Sequence, residues 1–549
     1  MTSFWQNKPE MTGCNDQKNA LKNILSRGAS LGNPKTKIQE ANMLNTQNRL
    51  DRAYKIYTDI LKKNSRNSDA LVGIGVILEK QKEFDLAIQF LSQAIYFKPD
   101  KIEALLRRGR IFRMRGSHEN AISDFTMILR QRPENFDALI ARGIAFGQIR
   151  QFEAAVADFT KAVRINSNCS EAFYNRGVAL EKLRKFKSAI DDYSNSIKLN
   201  PENFKAYNNR GVAQREIKCF NAAIRDFEKS VRAKPDFAEG YYNKSLTLLS
   251  IGKIKEGFKL YEYRWKTEHF QSQLRHFSQP LWLGKEDLTG KTILIHSEQG
   301  LGDSIQFCRY IKLFENMKCQ VLLEIEKPLI SLMHCLLPQE HVFEKGSALP
   351  AFDFHCPMMS LPYAFNTNID NIPFKKAYLS AQQKQIEQWR HRLKGPRERK
   401  PVIGLAWRGN PNHANDYLRS AKLHEILWSL SENCDWISLQ KYLTKEELSL
   451  IENTPQMSQF EAEIQNFSDT AALCSTLDAV ISVDTSAAHL AASLGIKTHV
   501  LLRDCADWRW LQNRPDTPWY DSMTLQRKPA NTCWGRLVEM AVSDITQKI

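Results

Sequence analysis

The sequence predicts an α-helical solenoid followed by a two-lobed α/β domain built on doubly wound parallel sheets, and three observations predict it. Gly75, Gly109, Gly143, Gly177 and Gly211 recur every 34 residues, and so do Ala70, Ala104, Ala138, Ala172 and Ala206, and again Ala87, Ala121, Ala155, Ala189 and Ala223. A period of that size marks stacked supersecondary units, none of which hides its apolar face alone. From about residue 290, beyond the end of the period, short apolar runs alternate with helical patterns. That alternation is what parallel sheets with helices on both faces require.

Each repeat reads as two short antiparallel helices. Small residues let the helix backbones approach, and Pro99, Pro133, Pro201 and Pro235 end the second helix, with Ser167 in the turn of the one repeat that lacks the proline. Phe84, Phe152, Phe186 and Phe220 stand three residues before the second alanine. Weaker copies flank the five full ones, at Ala41 and Ala53 before them and at Gly240 and Gly257 after, as capping units would. Polar residues recur in the first helices, as in Tyr174-Asn175-Arg176-Gly177 and Asn208-Asn209-Arg210-Gly211; they either line a peptide groove or are the solvated face of a helix. The pattern resembles the tetratricopeptide repeat family. That resemblance implies a right-handed solenoid with a protein or peptide partner in its concave face.

Composition bounds the rest. The 549 residues allow three or four domains at a soft ~150 each, and 42% hydrophobic with 25% charged residues excludes wholesale disorder. Lys and Arg exceed Asp and Glu by 77 to 61, a net +16 that favours anionic partners or simply solubility, because no basic block of five or more occurs. A nucleic-acid partner is not expected, since interleaved basic and aromatic residues on one face are missing. Eleven scattered cysteines without a C-x-x-C pair argue for a reducing compartment and against a zinc site. With no signal peptide and no apolar run of 18 residues, a cytoplasmic location is expected, with peripheral membrane association left open.

The periodicity breaks after Tyr261-Glu262-Tyr263-Arg264-Trp265, and Pro280, Trp282 and Gly284 lead into a new architecture. Strands are expected at 292–297, 320–325, 402–407, 436–440, 479–483 and 498–502, and helices at 303–316, from about 328, near 421–431 and at 486–494. A basic stretch, Arg390, His391, Arg392, Lys394, Arg397, Arg399 and Lys400, links the two lobes. The expected divisions are a polar extension over 1–34, a solenoid of about seven repeats over 35–271, a first lobe over 272–395 and a second over 396–549. Two such lobes leave a cleft at the carboxyl ends of their strands, where ligands bind.

Three motifs fall at strand ends. Glu298-Gln299-Gly300-Leu301-Gly302-Asp303-Ser304 follows a strand and opens a helix; Gly300 and Gly302 let a ligand approach the backbone, and the helix amino terminus offers N–H groups to an anion. Asp303 either caps that helix or takes the proton from an attacking hydroxyl. Asp484, Thr485 and Ser486 precede His489 in a second strand-to-helix turn suited to a diphosphate; the alternatives are Asp484 as an N-cap and His489 as a structural residue, the commoner role of a lone helix histidine. A Ser-His-Asp hydrolase is disfavoured, because no G-x-S-x-G elbow surrounds the serine. Arg408, in Trp407-Arg408-Gly409-Asn410-Pro411, stands at a third strand end, either neutralising a leaving phosphate or paired with a carboxylate. The polar stretch Asn415, Asp416, Arg419 and Ser420 reads as a loop over the cleft.

Together the motifs H-S-E-Q-G-L-G-D-S-I-Q-F-C-R-Y at 296–310, G-L-A-W-R-G-N-P at 404–411, N-D-Y-L-R-S at 415–420, S-V-D-T-S-A-A-H-L-A at 482–491, D-W-R-W-L at 507–511 and P-W-Y at 518–520 resemble the heptosyltransferase-like glycosyltransferases. The resemblance is strongest to bacterial proteins that join tetratricopeptide repeats to such a domain, and it covers about residues 35–530. It implies a two-lobed Rossmann-like domain of the glycosyltransferase B fold. The implied activity is inverting transfer of a sugar from a nucleotide-diphosphate donor to a hydroxyl, without metal or cofactor. Asp303 and His489 then take catalytic places, while Gly300, Gly302, Arg408, Asn410, Asp484, Thr485 and Ser486 hold the donor and its phosphates. The alternative is a repeat scaffold whose transferase-like domain is inactive or senses nucleotide sugar. Arg503-Asp504-Cys505 departs from the proline and small residues common in relatives, which leaves the donor sugar open, as the acceptor is.

Overall fold

The computed structural model describes residues 34–393, 400–411, 416–529 and 532–547. The polar extension, Asn415 and the linker residues Lys394, Arg397 and Arg399 lie outside them. The chain divides into two compact units, one reaching to Ile217 with Lys229–Pro235, the other comprising Lys218–Glu228 and the residues from Asp236 on. The break in the sequence period after Trp265 therefore falls inside the second unit.

In the first unit, paired helices follow one another: α1 (Pro34–Thr46) and α2 (Leu50–Lys63), α3 (Ser68–Lys80) and α4 (Phe84–Phe97), α5 (Ile102–Met114) and α6 (His118–Gln131), α7 (Phe136–Gln148) and α8 (Phe152–Ile165), α9 (Ser170–Lys182) and α10 (Phe186–Leu199), then α11 (Phe204–Glu216). The periodic alanines are fully buried, among them Ala104, Ala121, Ala138 and Ala155. Gly75, Gly109, Gly143 and Gly177 face side chains of the following helix: an added Cβ at Gly75 would stand 2.8 Å from Leu91, one at Gly143 2.7 Å from Phe159, and one at Gly177 2.8 Å from Tyr193. Only a residue without a side chain lets the pair close to that distance. Asn67, Asn135 and Asn203 cap α3, α7 and α11 through side chains that accept from Ala70, Ala138 and Ala206.

A second ladder runs through the same repeats. Arg108, Arg142 and Arg176 each hold the aspartate sixteen residues on, Asp124, Asp158 and Asp192, through two hydrogen bonds, and reach back to Ser92, Thr126 and Thr160 on the preceding repeat. Arg210 likewise donates to Ser194. Of the recurrent first-helix polar residues, the arginines thus stitch neighbouring repeats together with charge-assisted bonds, while Asn209 donates to the Tyr174 hydroxyl.

The second unit contains the last hairpin, α13 (Ala238–Ser250) and α14 (Ile254–Tyr261), which is preceded in the chain by α12 (Phe220–Ala233). Two all-parallel sheets follow. The first has β1 (Thr292–His296), β2 (Gln320–Ile325), β3 (Val342–Glu344) and β4 (Phe354–Pro357) in the order β3-β2-β1-β4. The second has β5 (Val402–Ala406), β6 (Asp435–Ser438), β7 (Met457–Gln459), β8 (Ala479–Val483), β9 (Thr498–Leu502) and β10 (Met523–Arg527) in the order β10-β9-β8-β5-β6-β7. The near-continuous apolar runs of β1, β8 and β9 are buried, as strands covered on both faces must be. Leu249, Phe258 and Tyr261 of the last hairpin share one core with β1, Trp508 and Trp519.

Three expectations are corrected. The helix expected over 303–316 is α15 (Leu301–Phe307) followed by 3-10 turns over Cys308–Met317; it starts two residues early because Asp303 accepts from the Gly300 N–H and closes the first turn. The helix near 421–431 is one turn, Leu423–Ile426, and a 3-10 turn, Leu427–Ser429. The described part of the loop over 415–420 is instead a helical turn, Asp416–Arg419, because Asp416 accepts from both Ser420 and Arg419. The short strands β3, β4 and β7, of three, four and three residues, carry too few to show a period in the sequence.

Candidate functional site

The carboxyl ends of β1, β5, β6, β8 and β9 meet at one cleft of about 1510 Å³, and all nine candidate residues line it. On one side lies the loop Ser297–Gly300 leading into α15; on the other lies α16 (Ser486–Ser493), the helix after β8. The helices touch, since a Cβ on Gly302 would stand 3.1 Å from the His489 ring. Gly302 therefore owes its identity to close approach of two lobes rather than to a special backbone angle.

Asp303 is fully engaged: Oδ2 accepts from the Gly300 N–H at 3.0 Å, and Oδ1 accepts from Arg509 of the other lobe. Asp303 is thus a helix cap whose carboxylate also lines the cleft. The loop before it is tied down from behind. Glu298 accepts from buried Arg264 through both oxygens, at 2.9 and 3.1 Å, and Gln299 donates to the Tyr261 hydroxyl at 2.6 Å. Burial lifts the Glu298 carboxyl to about 7 against the opposing pull of Arg264.

Across the cleft, Thr485 opens α16 but turns its hydroxyl to Ser482 at 2.9 Å rather than onto the helix N–H groups. Asp484 is pushed up to about 6, first by burial and then by neighbouring Asp507, with Arg419 and Arg509 pulling the other way. His489 is buried, hydrogen-bonded through Nδ1 to the Tyr520 hydroxyl at 2.9 Å and stacked on Trp510. Burial, with Arg509, Arg309 and Arg419 nearby, holds its pKa well below the ordinary value, so the imidazole is neutral.

Arg408 lines the cleft with its charge already matched. Its Nε and Nη2 donate to Glu447 at 2.9 Å each, and Nη2 also donates to the Tyr442 carbonyl at 2.6 Å. Burial would raise Glu447, but Arg408, the Thr444 N–H and Trp407 outweigh it and bring it to about 2. The cations whose charge reaches both Asp484 and His489 are instead Arg509 and Arg419, the latter passed over in the sequence as part of a loop. Arg419 lies over Gly409, where an added Cβ would stand 2.7 Å from its Nη2. Asn410 lies beside them in the cleft wall. Arg509, the second residue sequence reasoning missed, had a signal in the Trp508-Arg509-Trp510 alternation. Among the described residues no three His, Cys, Asp or Glu side chains gather as a metal site, and no helix is long and apolar enough to cross a membrane.

Residues 44–108, 103–135, 136–169 and 170–203 match profiles described as tetratricopeptide repeat, so the N-terminal region carries these repeats, with a region of parallel sheets and helices after them. Protein FlbA of Caulobacter vibrioides (strain ATCC 19089 / CIP 103742 / CB 15) is 24% identical over 306 residues, covering 50% of this chain and 50% of that protein. The chain thus spans about half the length of this curated relative. YrrB, described as a TPR protein with an unusual peptide-binding site, is 20% identical, with a TM-score of 0.33, covering 35% of this chain and 98% of its own. A tetratricopeptide repeat protein from Parabacteroides merdae ATCC 43184 is 18% identical, with a TM-score of 0.35, covering 44% of this chain and 96% of its own.

Proposed function

We propose that this chain is an inverting glycosyltransferase that needs no metal, moving a sugar from a nucleotide-diphosphate donor to a hydroxyl of a protein or glycan acceptor brought by its repeats. The observation that carries the reading is the meeting, in one cleft at the carboxyl ends of two parallel sheets, of a carboxylate on one lobe with a helix amino terminus on the other. In that chemistry the acceptor oxygen attacks the anomeric carbon as its proton passes to Asp303, and the bond from that carbon to the diphosphate breaks. The leaving diphosphate gathers charge at the amino terminus of α16, beside Thr485, Ser486 and Arg419. Neutral His489 serves there as a hydrogen-bonding and packing group, oriented by Tyr520, rather than as a base. Asn410, Asp484, Gly300 and Gly302 shape the donor pocket, and Arg408, bound to Glu447 and to the Tyr442 carbonyl, braces the loop that follows β6.

One observation favours the second reading, a repeat-bearing binding protein whose cleft senses nucleotide sugar without turnover: both oxygens of Asp303 already hold partners. A donor screen separates the two. The purified full chain is warmed with UDP-, GDP- and ADP-sugars, following thermal stabilisation and release of nucleoside diphosphate, with Asp303→Ala alongside. Turnover that is lost in Asp303→Ala while donor binding persists supports the transferase. Stabilisation without turnover supports the sensor, and no stabilisation by any nucleotide sugar overturns both.

A further inference from the structure

The turn Trp508–Trp510 places an arginine between two indoles. Trp510 stacks on His489, with ring centroids 5.3 Å apart, and Trp508 meets Phe258 edge-on at 5.5 Å. Each indole is held by a different element, which fixes the direction of the residue between them. Arg509 lies flat on Trp508, its guanidinium carbon 4.3 Å from the ring centroid, with its side chain only 10% exposed. Its donors go to three acceptors: Nη2 to Asp303 Oδ1, Nε to Gln306 Oε1 at 2.9 Å and Nη1 to Asp507 Oδ1 at 2.7 Å. Asp303 and Gln306 are three residues apart on α15, so they stand on one face and present one target to the guanidinium fork.

We infer that Arg509 is the positioning residue of the proposed transfer, reaching from the second lobe to fix the Asp303 carboxylate in the cleft. The inference rests on the transferase reading. With Oδ2 on the Gly300 N–H and Oδ1 on Arg509, the carboxylate cannot rotate. Each oxygen keeps a further lone pair, one of which takes the acceptor proton. Asp303 and Asp507 also keep Arg509 charged despite its burial, raising its pKa above the ordinary arginine value. The planar five-donor fork is essential, because an ammonium on a flexible stem cannot satisfy Asp303, Gln306 and Asp507 at their separate angles.

The test uses the full chain with the donor found active for the wild type, comparing Arg509→Ala, Arg509→Gln and Arg509→Lys. Misplacement of a reacting group costs about 100-fold in rate, so kcat falls by about that factor in Arg509→Ala and Arg509→Gln, with donor KM within about threefold of wild type. Arg509→Lys falls between, and millimolar guanidinium restores at least part of the kcat of Arg509→Ala at unchanged donor KM. If Arg509→Ala does not fold, as judged by circular dichroism, the Gln and Lys variants carry the comparison. Wild-type kcat in Arg509→Gln, or a rise in donor KM with kcat unchanged, overturns the role of Arg509 while leaving the transferase intact. A wild type that turns over no nucleotide sugar overturns the transferase reading itself, and the role of Arg509 with it.

Discussion

Arg264 and Glu298 form a fully buried ion pair between the turn that follows the last helical hairpin and the loop that begins the cleft, with side chains 0% and 2% exposed. Arg264 is held further by Glu262, Ser360 and the Tyr261 carbonyl, and Glu298 by the Met359 N–H. The acceptors around the guanidinium come from three stretches of chain, Tyr261 with Glu262, Glu298, and Ser360, so the pair joins the post-repeat segment to the first sheet.

Removing one partner of such a pair leaves the other charge buried. Arg264→Met is expected to cost about 3–5 kcal/mol of stability. The loss is greater at pH 8 than at pH 5, because Glu298, already lifted to about 7, escapes the penalty by taking a proton at the lower pH. Chemical denaturation at the two pH values measures it, and equal losses would contradict the burial of Glu298.

Asp484 gives the opposite kind of test. Its folded pKa, about 6, lies above the 3.8 of a free carboxyl, so the unfolded chain loses the proton first as pH rises and folding weakens between those values. Asp484→Asn is expected to stabilise the protein by up to about 3 kcal/mol above pH 6, with the gain fading toward pH 4. Thermal melts across that range show it.

His489 is lowered, so its contribution has the sign of a buried neutral imidazole: stability is held above the ordinary value of 6.5 and lost as pH falls below it. Its ring proton resonances are expected to stay flat between about pH 5 and 8. A midpoint near 6.5 would show that it is not enclosed by Tyr520 and Trp510.

In the repeats, Gly143→Ala puts a methyl group against the buried ring of Phe159. Overpacking of that size costs about 1–3 kcal/mol, and the better helix propensity of alanine returns at most about 1. A net loss of about 1–2 kcal/mol is expected from denaturant titration, where an exposed helix glycine would have gained stability.

Arg408 and Arg419 both have a carboxylate partner but differ in reach: Arg408 is held by Glu447 through two hydrogen bonds, whereas Arg419, paired once with Asp416, also acts on Asp484 and His489. Arg408→Ala strands Glu447 and is expected to lower thermal stability with little change in nucleoside diphosphate affinity. Arg419→Ala is expected to weaken that affinity about tenfold, by calorimetry, with the fold retained. The reverse order would return the phosphate to Arg408.

The sequence by itself determined what is periodic or local. The 34-residue period specified the helix pairs, the buried alanines and the glycines against side chains of the following helix, because a repeat meets only its neighbours and the same short-range packing recurs. Apolar runs specified β1, β2, β5, β8 and β9, and strand-to-helix turns brought Asp303, Arg408 and Asp484 to strand ends, since a parallel sheet puts all its carboxyl edges on one side. Which charges were already spent was decided only by the tertiary structure. Arg408 and Arg509 look alike in the sequence, yet one is matched by Glu447, 39 residues on, and the other holds Asp303 from 206 residues away. No local pattern encodes such pairings, because they arise where separate chain segments are forced together by burial and must satisfy the polar groups they bury. The place of the last hairpin was decided in the same way. Its repeat-like sequence continues the period through Gly240 and Gly257, but Phe258 and Tyr261 find their apolar partners in the core beneath the first sheet.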